Sequence, residues 1–207
     1  MGEHLYTYID PPNELHLEQI SKSLRNDALI ALPMQTNWVF ACDASSRKGL
    51  AKIQRLKSSH HKNRPYSIVC SSISMASSMG NIGGQKYRLL NRVWPGPFTM
   101  IFSSSRQLPK ILKIKREKVG IRIPQEAITL ALVEYYGKPL VVSSVPLTED
   151  GLVYKMGYEI FERFGHGLDF VVDLGDELSG QLTTVIDMST DEIEVVREGA
   201  GDWSLGT

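Results

Sequence analysis

Trp94-Pro95-Gly96-Pro97-Phe98-Thr99-Met100-Ile101-Phe102 decides how the rest of the chain is read. Pro95 and Pro97 each fix φ and remove a backbone donor, and Gly96 between them restores conformational freedom. No helix continues through this stretch, and no central strand begins before Pro97 is past. Phe98 to Phe102 then form a β-prone run with the length of a strand. A rigid bend feeding a buried strand holds backbone still beside something. That something is either packing, with Trp94 as a core plug, or a ligand; the stretch alone leaves both open.

Working outward, strands and helices mix without strict alternation. Towards the N-terminus, strands are expected at Leu5–Ile9, Ala28–Pro33, Trp38–Cys42 and Tyr66–Cys70. Between them lie a helix capped by Asn13, with Leu17, Ile20 and Leu24 on one stripe, and a helix capped by Ser45 or Ser46 that runs to about Lys57. Two short helices, near Ser72–Ser78 and Gly84–Trp94, lead into the opening stretch. Towards the C-terminus come a short helix near Leu108–Leu112, a strand at Val119–Pro124, a helix over Gln125–Tyr136 ended by Gly137, and a strand at Pro139–Ser143. A helix near Gly157–Phe164 and three strands, DFVVD, TTVID and IEVVR, complete the pattern. This predicts an α/β protein with a mixed, twisted sheet. At 207 residues, with 42% hydrophobic and 22% charged, a single domain over 1–207 is expected.

Other classes recede. No apolar run reaches the length of a membrane span, and the first residues lack the basic and apolar regions of a secretion signal. Cys42 and Cys70 sit in apolar runs, which suits buried reduced thiols and a cytoplasmic location. His60-His61 with Cys70 has no metal-ligand spacing, so no metal site is expected. Gly80–Gly84 lacks both the dinucleotide fingerprint and the phosphate-loop lysine. Ser143-Ser144 lacks a nucleophile-elbow context.

The formal net charge of zero conceals a segregation. Ala44 to Arg116 holds fifteen Lys and Arg and no acid, whereas Leu140 onward holds 14 acids and only Lys155, Arg163 and Arg197 as bases. Such asymmetry points to a face for polyanions, nucleic acid or nucleotide phosphates; the alternative is that the two halves interleave and neutralise each other. On the helix before Lys57, Arg47, Lys48, Lys52 and Arg55 share the polar arc and are candidates for RNA contact with Lys62. Lys57 falls within the apolar arc. It either snorkels towards the helix-end carbonyls or points into a cleft to meet an anion, and the basic loop 58–64 after it favours the cleft.

These pieces together resemble the YrdC-type superfamily, and within it the YciO-type branch. The likeness runs from about Leu29 to Gly201. The proline-led strand motif P-T-E-T-x-Y-G-L is matched by Pro33-Met34-Gln35-Thr36-Asn37-Trp38-Val39-Phe40, and W-P-G-P-L-T by Trp94 to Thr99. V-G-x-R-x-P is matched by Val119 to Pro124, S-T-x-x-D by Thr183 to Asp187, and R-x-G by Arg197-Glu198-Gly199. Five motifs in the right order are specific where any one is weak.

The resemblance implies a twisted mixed sheet with flanking helices and a concave basic cleft that binds adenine nucleotide, and also structured RNA, whether transfer RNA or another double-stranded RNA. Catalytic members make threonylcarbamoyl-AMP from L-threonine, bicarbonate and ATP, a step in tRNA modification. That chemistry implies ATP with Mg²⁺ and no tightly bound cofactor. Carried over residue by residue, Lys57, Arg64, Ser144, Thr184 and Arg197 are the nucleotide or phosphate candidates, and Thr36, Thr99 and Arg122 the cleft candidates. Four positions depart from the catalytic pattern: Met34 replaces the hydroxyl and Gln35 the carboxylate of the first motif, Ser59 stands at the arginine of K-x-R, and Pro146 at the asparagine of S-x-N. Serine offers no bidentate fork, and proline no amide. Lys62 or Arg64 could reach back to replace the lost arginine. The expectation is therefore a binding protein, with an active threonylcarbamoyl-AMP synthase as the alternative, and a changed small-molecule substrate as a third option.

Overall fold

The computed structural model describes residues 2–7, 12–57, 66–113 and 117–206. Its frame is one ten-stranded mixed sheet. In chain order the strands are β1 (Glu3–Tyr6), β2 (Ile30–Met34), β3 (Asn37–Asp43), β4 (Ser67–Val69), β5 (Phe98–Ser103), β6 (Lys118–Arg122), β7 (Leu140–Ser144), β8 (Phe170–Asp173), β9 (Thr184–Asp187) and β10 (Glu194–Arg197). In space they run β1-β8-β2-β3-β7-β4-β6-β5-β9-β10. β1 pairs parallel to β8, β4 to β6 and β5 to β9, while β2–β3, β3–β7 and β5–β6 are antiparallel.

Two cores sit on the two faces. On one, α1 (Glu14–Leu24) and α6 (Ala127–Tyr136) lay Leu17, Ile20, Leu24, Ile128 and Leu132 on Ile30, Leu32, Val39, Ala41 and Val142. On the other, α2 (Arg47–Leu56), α3 (Ile73–Met79), α4 (Gly84–Val93) and α7 (Gly157–Phe164) pack Ile53, Ala76, Leu90 and Ile160 among Phe40, Cys42, Ile68, Met100 and Ile121. A short helix, α5 (Lys110–Lys113), follows β5. The helix starts have visible causes. The Asn13 side chain accepts from the Leu15 amide, Ser46 from Gly49 and Ser72 from Met75. Gly137, at φ 72°, closes α6 in the left-handed conformation that favours glycine.

Most expected elements are present within a residue or two. The first strand is the exception in extent: it runs Glu3–Tyr6 where Leu5–Ile9 is expected, in register with Phe170–Asp173 of β8. Thr7 lies just past the strand, its amide donating to the Asp173 carbonyl at 2.9 Å, and residues 8 and 9 of the expected strand lie outside the described residues. The opening stretch is a core junction. Trp94 is buried edge-on to Phe102 with ring centroids 6.3 Å apart, the Trp94–Pro95 bond is cis, and the Gly96 amide donates to the Ile123 carbonyl. Pro97 offers its carbonyl to the Thr184 amide at 3.1 Å, which ties the start of β5 to β9. Cys42 and Cys70 are buried free thiols, and burial pushes both up to about 12. No helix among the described residues is long and apolar enough to cross a membrane.

Candidate functional site

α1 and α6 cover only part of their face. Side chains alternate along a strand, and the observed registers put Ser67 of β4, Gly120 and Arg122 of β6, Thr99 and Ile101 of β5 and Val185 of β9 on that same face. There they line a cleft of about 690 Å³, together with Asn37, Ser144, Thr183, Leu182, Glu117 and Arg197. Its size is that of a small-molecule site.

The chemistry concentrates at the β5–β6–β9 end. Arg122 is 6% exposed, and its buried Nε has no hydrogen-bond partner among the described residues. Burial, helped by the nearby Arg197 charge, pulls the Arg122 guanidinium down to about 10, so it still carries its charge at neutral pH. Arg197 reaches in from β10. Its Nε and Nη2 donate to the Thr183 carbonyl at 3.1 and 2.7 Å, and Nη2 also meets the Thr183 hydroxyl at 3.2 Å. That hydroxyl lies 2.9 Å from the Thr99 hydroxyl. Two guanidinium groups and two coupled hydroxyls therefore face one space. On the rim, Lys118 is paired with Asp187 at 2.8 Å, and Glu117 is the carboxylate among the lining residues. The arrangement suits an anion, and a bidentate one best.

Of the residues picked out by sequence, Thr99, Arg122, Ser144 and Arg197 meet in this cleft. Lys57 does not line it. The lysine caps α2, is 4% exposed and donates from Nζ to Ser143 Oγ at 2.6 Å, with the Tyr66 ring 5.9 Å away; both of those neighbours line the cleft. Its ammonium thus backs the wall.

Thr184 is placed elsewhere too. Its hydroxyl accepts from the Gly199 and Gly201 amides, each at 3.0 Å, and donates to the Gly201 carbonyl at 2.6 Å. It latches the C-terminal tail, and Thr183 is the threonine that faces the cleft. Thr36 spends its hydroxyl on the Met34 carbonyl and the Asn37 side chain, beside Gln35 at φ 50°. Its neighbour Asn37 takes the place on the wall. Alternation along β3, in which Asn37, Val39 and Ala41 share a face, carries that signal. The motif reading, which followed the hydroxyl, missed it.

Arg64 and Lys62 fall in 58–65, outside the described residues, as does Ser59. Arg47, Lys48 and Arg55 are exposed on α2, and Lys52 is partly so. Lys48 lies 3.5 Å from Asp27 and Lys52 2.9 Å from Asp169. The acidic half therefore answers Lys52 through Asp169, and Lys48 is answered by Asp27 from before the basic block, while Arg47 and Arg55 remain on the surface. α2 packs on the face opposite the cleft floor. Among the described residues no three metal-ligating side chains come together.

Comparison with known proteins agrees with this fold. The Sua5/YciO/YrdC family, described as "Telomere recombination", matches residues 22–199. The chain is 27% identical to the Escherichia coli K12 protein YciO over 206 residues, covering 98% of each. It superposes on the E. coli YciO crystal structure with a TM-score of 0.88 at 26% identity, each chain fully covered. It is 30% identical to the Mus musculus threonylcarbamoyl-AMP synthase over 183 residues, 85% of this chain and 64% of that one. A P. abyssi Sua5 structure complexed with L-threonine shares the fold, with a TM-score of 0.84 and 21% identity over 95% of this chain and 57% of that one. The chain thus spans less than two thirds of the mouse synthase and of the P. abyssi Sua5 chain, but the whole of the YciO chain. With the family matched over residues 22–199 and the fold shared with YciO over its full length, this chain belongs to the Sua5/YciO/YrdC family.

Proposed function

We propose that this protein is a YciO-like binding protein whose cleft takes an adenine nucleotide and whose exposed basic residues take structured RNA. The observation that carries the nucleotide reading is Arg122: a buried guanidinium with an orphaned Nε, beside a second guanidinium, facing an open cleft. A buried cation short of acceptors is costly, and a phosphate in the cleft would offset the charge of the two guanidinium groups. The adjoining space matches a nucleoside in scale. Mg²⁺, where bound, would come with the phosphates, and Glu117 offers a hard oxygen at the rim. Bound metal would supply charge neutralisation at the phosphates. The RNA reading rests on the acid-free basic block, with Arg47 and Arg55 exposed.

Titration with ATP and Mg²⁺ by calorimetry tests the first part. Binding by the wild type, weakened about tenfold or more by Arg197→Ala, is expected for a charge-assisted contact. No heat in the wild type at millimolar ATP rejects the reading. The synthase alternative draws on the likeness to the mouse enzyme and on Ser144, Arg122 and Arg197 meeting in one cleft. It requires threonine- and bicarbonate-dependent release of pyrophosphate from ATP, and a folded protein without that turnover removes it.

A further inference from the structure

The sheet ends on β10, beyond which no strand lies among the described residues, and all four residues of β10 are exposed. At the other edge β1 keeps Leu5 buried. Ile193, just ahead of β10, and Val195 and Val196 within it are 44%, 41% and 54% exposed, so three β-branched side chains face water at an open edge. The backbone there is open too. The Thr184 and Met188 amides of β9 are spent on the Pro97 and Ile101 carbonyls, on the β5 side, so β9 turns Val185 and Asp187 towards β10. Those two oppose Arg197 and Glu194, while Val195 opposes Ile186. In an antiparallel ladder, the residue between two bonded pairs turns its N–H and C=O away from the partner strand. Val195 therefore presents a donor and an acceptor to whatever lies beyond the sheet.

Charge says what kind of strand fits. Side chains alternate, which sets Ile193 and Val195 on one face and Glu194 on the other. Asp191, Glu192 and Glu198 flank them, all exposed. None of these four carboxylates has an ion-pair partner among the described residues. The one base in 191–198, Arg197, turns its guanidinium inward onto Thr183. A short, acidic, bulged edge resists a copy of itself. Antiparallel pairing of two such strands about Val195 would bring Glu192 up to Glu198. The same edge does not resist a segment of opposite charge. We propose that β10 is a docking edge for a partner protein, which adds to the sheet an extended segment alternating apolar residues with Lys or Arg. Its apolar side chains lie beside Ile193 and Val195, its basic ones beside Glu194, and its backbone meets the free N–H and C=O of Val195. Docking there is independent of what the cleft binds.

The test uses the whole chain and three labelled peptides of strand length. One alternates valine with lysine, one alternates valine with glutamate, and one is the lysine peptide with a central proline, which keeps the charge and breaks the ladder. Fluorescence anisotropy is expected to show binding of the first peptide alone. Glu192→Lys/Glu194→Lys should weaken it about tenfold or more, since each reversal replaces an attraction with a repulsion. Val195→Pro should weaken it about tenfold through the loss of the outward donor. In the wild type, the Val195 amide should exchange more slowly once the lysine peptide is bound. No binding of the lysine peptide overturns the proposal. Equal binding of the proline or glutamate peptide overturns it too, since no paired strand of opposite charge would then be needed. An unchanged Val195 exchange rate also overturns it, by putting the peptide elsewhere on the acidic half. A concentration-dependent dimer in sedimentation, with no peptide uptake, makes the occupant a second copy and overturns the proposal as well. Should Val195→Pro unfold the hairpin, the exchange measurement on the wild type decides.

Discussion

A guanidinium that is 6% exposed, beside a second guanidinium and short of acceptors, costs stability wherever it is charged. The sign follows from its pKa. Arg122 is held at about 10 in the folded chain, below its ordinary value, so the cost applies across all pH below about 10 and is relieved only as pH rises through it. Replacing the charge with a chain of similar length should therefore stabilise the empty protein. Arg122→Met is expected to raise thermal stability by on the order of 1–3 kcal/mol and to abolish ATP binding, measured by calorimetric melting and titration on the same samples. An unchanged or lowered melting point would mean that Arg122 is a structural ion and not a binding one. Arg122, Arg197, Thr99 and Ser144 were legible because each belongs to a short motif with a physical role. Thr183 was not, because in a Thr-Thr pair the chemistry is identical and only strand register decides which hydroxyl faces the cleft. Lys57 was half legible: its place inside an apolar helical arc foretold burial, but not that Ser143 would take its ammonium.

Among elements, the β9–β10 hairpin holds Arg197 at the cleft by two devices: the ladder, which shifts register between Val195 and Arg197, and the Thr184 latch on the tail. Thr184→Val keeps the shape and removes three hydrogen bonds. A loss of about 1–3 kcal/mol is expected, with faster amide exchange at Gly199 and Gly201 and weaker ATP binding as Arg197 loosens. Exchange rates equal to wild type would show that the tail is held by Trp203 packing on Phe98 instead. A second element-level device joins β3 to α6. Asp43 accepts from the Ser45 amide and hydroxyl, and from the Tyr136 hydroxyl at 2.5 Å. Burial pushes the Asp43 carboxyl up, but the Ser45 and Tyr136 hydrogen bonds outweigh it and leave the group below its ordinary value. Its contribution is present above the unfolded value near 3.8 and is lost as pH falls through the lower folded one. Asp43→Asn should therefore lessen the acid sensitivity of stability below about pH 4, read from urea midpoints at pH 3 and pH 6. Helix starts and stops were legible here, since Asn13, Ser46, Ser72 and Gly137 act within one turn. Strand order was not, because the parallel pairing of β5 with β9 joins segments some eighty residues apart and leaves no local trace.

For the whole molecule, the segregated charge is resolved only in part. Asp27 and Asp169 answer Lys48 and Lys52, yet Arg47 and Arg55 stay exposed on a helix that packs opposite the cleft floor. The RNA and nucleotide readings therefore separate. Reversing both charges in Arg47→Glu/Arg55→Glu is expected to weaken double-stranded RNA binding about tenfold or more, and to flatten the dependence on log salt by about two phosphate contacts. ATP affinity should not change. RNA binding indifferent to this pair would place the RNA face elsewhere on the basic block. The sheet order carries one more consequence, for synthesis. Glu3 has no strand partner until Phe170 exists, and β2 shares that partner. During translation the apolar face of β2, from Ile30 to Met34, must wait through most of the chain with one edge open. One side of the cleft, Thr183 and Arg197, leaves the ribosome later still. The nascent protein is thus a slow-closing, non-local β topology, exposed to mispairing until its last strands arrive and dependent on whatever shields it meanwhile.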